Sequence, residues 1–124
     1  MIKLVFAINR KPEVSEAEFH RYWLEEHAPL VRSFRDVLGI RRYVQSHRID
    51  TPINDALRAS RATDGPYDGV AELWWDSIDA LVAVLGTPEG QAASAALLED
   101  EATFIDFASA SIWMSEEHEI IPLA

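Results

Sequence analysis

Four residues of this chain carry chemistry in positions where sequence patterning expects burial or a wall: His27, Tyr43, His47 and Glu72. His27 falls four residues after Trp23 on the apolar stripe Phe19, Trp23, Leu30, Phe34, so an imidazole occupies the helix face that should face the core. An imidazole there can exchange a proton near neutral pH. The plainer reading is a core histidine that donates to a carbonyl at a kink. Tyr43 and His47 share a strand row with Arg41 and Gln45, which suits the wall of a polar pocket or, equally, a partly exposed edge strand. Glu72 lies among apolar neighbours and requires a cation, solvent or a raised pKa. Tyr43 can donate to a carbonyl or enolate oxygen as charge develops. Tyr22, Trp23 and Trp74 can supply flat apolar walls for an aromatic or lactone substrate. Gathered around one pocket, these groups suit proton abstraction beside a carbonyl: isomerisation, cyclisation or lyase chemistry without a cofactor.

The element that must position His27 is Ser15–Phe34. Ser15 with Glu18 forms a capping box, Val14 and Phe19 stand at staple spacing, and Glu16 and Glu18 place negative charge at the positive end of the helix dipole. Pro29 deletes the hydrogen bond to the Glu25 carbonyl, so the helix is expected to bend or stop near Ala28, beside His27.

Around this helix the pattern gives a strand at Ile2–Asn9 with both faces largely apolar, and a second at Ile40–His47 after the terminator Gly39. A long connection follows, with a short helical turn expected at Asn54–Ser60, and then a third strand at Asp68–Trp75. Ser77 caps a helix to about Leu85, Thr87-Pro88 starts another over Glu89–Leu98, and Ala110–Ile121 supplies the last strand. The acidic run Glu99–Glu101 is most simply solvated. The order β-α-β-β-α-β is the split βαβ arrangement: an α+β fold with a four-stranded antiparallel sheet and helices on one face. Doubly apolar strands require a cover for the other face, and a second copy of the sheet is the simplest, so a homodimer is expected. Within the third strand, Glu72 is expected to point into the cavity of His27, with Ala71, Leu73 and Trp75 packed between subunits. Pairing of Glu72 with Arg41 or Arg42 of a second copy is the competing arrangement.

Composition narrows the partners. The chain has 124 residues, one domain's worth over 1–124, and 48% of them are hydrophobic, which excludes general disorder. The formal charge of −10 argues against nucleic acid. All 11 Lys and Arg lie between Lys3 and Arg61, so the second half is strongly acidic; complementarity between parts or subunits and simple solubility both fit this split. No apolar run spans a membrane and the opening residues do not form a secretory signal, so a cytoplasmic protein is expected. There is no cysteine, hence no thiolate chemistry. His27, His47 and His118 are scattered without a metal-ligand spacing, and no phosphate loop or dinucleotide fingerprint is present, so no metal and no cofactor is expected.

SEAEFHRYWLEEHAPLVRSF, the strand from Gly39 containing Tyr43, YDGVAELWWDSIDAL and SEEHEII together resemble the EthD-domain family of the ferredoxin-like dimeric α+β barrel superfamily. The resemblance covers nearly the whole chain apart from Asp50–Gly65, and its most specific part is the YW-x-x-x-HAPL pattern. It implies a small-molecule pocket in a dimeric barrel. Relatives of this superfamily act as isomerases, polyketide cyclases, cofactor-free monooxygenases and decarboxylases, and the family takes its name from a protein of ether degradation. In methylisomerase-like members a first-helix histidine and a second-strand tyrosine face the pocket, which by motif match implies His27 and Tyr43 as the catalytic pair. Those members also use a cysteine, which this chain lacks. A non-catalytic binder of a small hydrophobic metabolite, or an accessory protein of an oxidative degradation pathway, is the alternative function.

Overall fold

The computed structural model describes all 124 residues. The strands are β1 (Ile2–Ile8), β2 (Arg42–His47), β3 (Gly69–Trp75) and β4 (Ser111–Glu116), in the sheet order β2-β3-β1-β4 with every pair antiparallel. The helices are α1 (Glu16–Tyr22), a π turn (Trp23–His27), α2 (Ala28–Ser33), α3 (Arg35–Leu38), α4 (Pro52–Arg61), α5 (Ile78–Leu85) and α6 (Pro88–Glu101). This is the ferredoxin-like α+β fold, with the central strands β1 and β3 flanked by β4 and β2. No single helix is long and apolar enough to cross a membrane.

Helix starts follow the side-chain caps. Ser15 accepts from Glu18 N–H, Ser77 from Ala80 N–H and Thr87 from Gly90 N–H. The Asp50–Gly65 connection holds a ten-residue helix rather than a short turn, and its cap is Thr51 rather than Asn54. Pro29 does not stop the first helix. The chain inserts one extra residue, so that Ala28 N–H donates to the Trp23 carbonyl across a π turn, and helix resumes with Pro29 in its first turn, where a missing N–H is harmless. The final strand ends at Glu116, short of the expected Ile121.

The core lies between the helices and one sheet face. Phe6, Ile8, Phe19, Trp23, Ala71, Phe104 and Ile105 form one buried cluster, and Val31, Leu38, Ile40, Trp75 and Ala93 another. The row expected between subunits, Ala71, Leu73 and Trp75, therefore faces the helices, and Glu72 and Trp74 point to the opposite sheet face. The reason is steric: Trp23 rests on β3 so closely that a Cβ on Gly69 would stand 2.4 Å from its ring, and only the Gly69–Ala71 row is small enough to receive it. On the far face Glu72 meets its cation within the same chain, Lys3 Nζ at 2.5 Å, a diagonal neighbour across the β1–β3 ladder. No arginine of a second copy is needed.

Candidate functional site

The π turn presents His27 to the interior, where it is 5% exposed. Its Nδ1 lies 2.7 Å from Asp100 Oδ2, at the end of α6. Tyr22, one turn earlier, donates its hydroxyl to the other oxygen of the same carboxylate. Asp100 accepts both bonds, so the neutral imidazole carries its proton on Nδ1 and leaves Nε2 with a free lone pair. Burial pushes the His27 pKa below the ordinary histidine value, against the opposing pull of Asp100. The lone pair is therefore the resting state near neutral pH.

Opposite that lone pair stands Glu101, with Oε2 4.0 Å from His27 Nε2. Burial, reinforced by the charge of Asp100, raises its carboxyl from 4.5 to about 7. A base and an acid thus face each other across a gap too wide for a direct hydrogen bond. Both line a narrow cavity of about 50 Å³ with Tyr43 and an otherwise apolar wall that includes Phe6, Trp23, Val31, Leu73 and Leu97. Burial lifts the Tyr43 phenol to about 12, so it stays protonated and able to donate. An adjoining apolar cavity of about 250 Å³, between the sheet and α5–α6, shares Phe6, Leu73, Leu97 and Glu101 with the first. Glu101 stands at the junction of the two.

The structure brings together His27, Tyr43 and Trp23 among the residues singled out from sequence. Tyr22 reaches the site only through Asp100. His47 does not line the cavity; it bonds through Nε2 to Gln45 Oε1 at 2.7 Å, and Gln45 Nε2 in turn donates to the Tyr43 oxygen at 2.7 Å. Glu72 and Trp74 lie outside it, on the other sheet face, where Arg42 stacks on Trp74 with 4.7 Å between guanidinium carbon and ring centre.

Sequence reasoning missed Asp100 and Glu101. Far from being solvated, the end of the acidic run closes over His27. The signal was present for Glu101: Gly90, Ala93, Leu97 and Glu101 follow one another at helical spacing, and Gly90 and Ala93 are buried. Nothing local marks Asp100, whose partner is 73 residues away. No group of three or more His, Cys, Asp and Glu side chains is arranged to hold a metal ion.

A family model described as the EthD domain matches residues 11–108. Solved structures of similar fold include an EthD family protein from Bacillus halodurans, 21% identical, covering 95% of this chain and 100% of that chain with a TM-score of 0.60. A protein from Arabidopsis thaliana is 12% identical over 98% of this chain and 100% of that chain, with the same TM-score of 0.60. SnoaB, a cofactor-independent oxygenase from Streptomyces nogalater, is 15% identical over 98% of this chain and 97% of that chain, with a TM-score of 0.55. At such identities the likeness speaks for the fold. No curated protein matches the sequence. The family match runs from the loop before α1 to the turn before β4 and takes in His27, Tyr43, Asp100 and Glu101, so the chain belongs to the EthD domain family.

Proposed function

We propose that the chain binds a small, largely apolar metabolite of aromatic, lactone or polyketide type on the helix side of its sheet. There it moves a proton beside a carbonyl group without a cofactor. The observation that carries this reading is the opposition of His27 Nε2 and the Glu101 carboxyl inside an apolar cavity, with the Tyr43 phenol on the same wall. His27 takes a proton from carbon, with Asp100 steadying the imidazolium that results. Tyr43 donates to the oxygen on which charge develops. Glu101, balanced near neutrality, returns a proton to a second position. The product is an isomer, a cyclised skeleton or a cleaved fragment according to the ligand. Most of the ligand rests in the larger cavity, because the space beside His27 admits little more than the reacting atoms.

That small space favours a second reading, a non-catalytic binder in which His27 and Glu101 only orient the ligand. Mass spectrometry of the ligand that copurifies with the protein, followed by incubation of that ligand with wild type and His27→Gln, separates the two. Conversion by wild type, lowered roughly 10²–10⁴-fold in the variant, supports catalysis. Unchanged ligand with wild type supports the binder.

We also infer that a second copy covers the far sheet face. Val5, Val44 and Val70 surround the Lys3–Glu72 pair there, and Trp113, on the same face, is 48% exposed. Two such faces packed about a two-fold axis bury this surface.

A further inference from the structure

We propose that Gln45, held by the His20–His47 pair behind it, is a positioning residue that fixes Tyr43 as a hydrogen-bond donor into the cavity. The proposal rests on the catalytic reading above for its purpose, but its geometry stands independently.

The polarity of the chain of bonds follows from one end. Gln45 Nε2 lies 2.9 Å from the Trp23 carbonyl of the π turn, and a carbonyl only accepts. The Gln45 amide is thereby oriented, with its NH₂ toward Trp23 and Tyr43 and its oxygen toward His47. His47 Nε2, 2.7 Å from that oxygen, must then carry a proton. Burial, with the His20 ring beside it, lowers the His47 pKa, so the ring is neutral and its Nδ1 is bare. The 2.8 Å contact between His47 Nδ1 and His20 Nδ1 is then a bond donated by His20. The bonds thus run in one direction, from His20 through His47 and Gln45 to Tyr43.

What they serve lies at the Tyr43 end. The Tyr43 oxygen accepts from Gln45 at 2.7 Å, so its own proton is directed elsewhere, and its ring lines the cavity of His27 and Glu101. A phenol that already accepts one hydrogen bond donates a stronger one. The same Gln45 NH₂ fastens the π turn that carries His27. One side chain thus sets both the direction of the Tyr43 donor and the seat of the His27 base.

Imidazole nitrogen NMR near neutral pH tests this without any ligand. Wild type should contain His47 as the Nε2–H tautomer, with a proton on Nδ1 of His20. In Gln45→Leu, His47 should lose its fixed tautomer, and Tyr43 ionisation, followed through its Cζ resonance, should move to still higher pH as the phenolate loses a donor. The His27 Nδ1–H tautomer should persist in that variant, reporting an intact fold. His47 as Nδ1–H in wild type, or a Tyr43 ionisation indifferent to Gln45→Leu with His27 unaltered, would overturn the proposal. The wild-type tautomers decide it even where the variant does not fold. Absence of turnover with the copurified ligand would instead remove the catalytic reading and leave these tautomers untouched.

Discussion

His27 Nδ1 lies 2.7 Å from Asp100 Oδ2, and this bond joins the π turn of the first helix to the last turn of α6. The two elements come from opposite halves of the chain, the first holding all the Lys and Arg and the second most of the acid. Asp100→Asn keeps a carbonyl oxygen for the His27 Nδ1–H, and its NH₂ donates to the Tyr22 hydroxyl turned round as acceptor, so its melting temperature should stay near wild type. It loses the charge that steadies the imidazolium, so conversion of the copurified ligand should fall on the order of 10²-fold or more. Asp100→Ala strips the buried His27 and the half-buried Tyr22 of their shared partner and should cost about 1–3 kcal/mol by chemical denaturation. Full activity in Asp100→Asn would remove the dyad from the mechanism.

Glu101 gives a pH signature. Its folded pKa of about 7 lies above the ordinary value of 4.5, so between those values the unfolded chain binds fewer protons than the folded one. Stability from this group is present below pH 4.5, falls as pH rises through that window, and stays lost above about 7. Glu101→Gln should therefore match wild type in acid and exceed it above neutrality, as read from denaturant midpoints across pH. A constant difference between the two proteins would show that Glu101 does not titrate there. His27 contributes the opposite slope. Its lowered pKa means that the unfolded chain takes up the proton first, so stability is lost as pH falls below the ordinary histidine value of 6.5. Below that value His27→Gln should lose less stability than wild type.

The Lys3–Glu72 pair is half-buried and remote from the cavity. Replacing Glu72 with Gln weakens its link to Lys3, which retains Glu117 at 3.6 Å. The expected loss is about 1 kcal/mol, between the values for exposed and buried pairs. Ligand affinity measured by calorimetry should not change. A marked drop in affinity without loss of stability would return Glu72 to the site.

The far sheet face bears on assembly. Sedimentation at micromolar concentration should give twice the mass of one chain, and Val5→Glu, which sets a second carboxylate directly across the ladder from Glu72, should give single chains. A wild-type species of one chain mass would refute the dimer.

Much of the architecture was legible in the residues themselves. Capping at Ser15, Ser77 and Thr87, the terminator Gly39 and strand alternation located the principal elements, because these signals act within a few residues of one another. His27 stood out for the same reason, an imidazole on an apolar stripe beside a proline. The consequence of Pro29 was not legible. Whether the chain ends a helix or widens one turn depends on what holds the widened turn, and Gln45, which donates to the Trp23 carbonyl there, sits on β2.

The choice of face also lay beyond the sequence. The period of two in β3 separates Glu72 and Trp74 from Ala71, Leu73 and Trp75, but it does not say which row meets the helices. That was decided by the bulk of Trp23 against Gly69 and by the reach of Lys3 to Glu72, both long-range. Asp100 and Glu101 illustrate the same division: local polarity reads them as solvated, and only α6 laid across the first helix turns one into the partner of His27 and lifts the other toward neutrality. Residue types and their local spacing specify which groups can carry protons and which elements hold them. Which of them meet is set in the folded chain, because hydrogen bonding and desolvation depend on neighbours that come together only by folding.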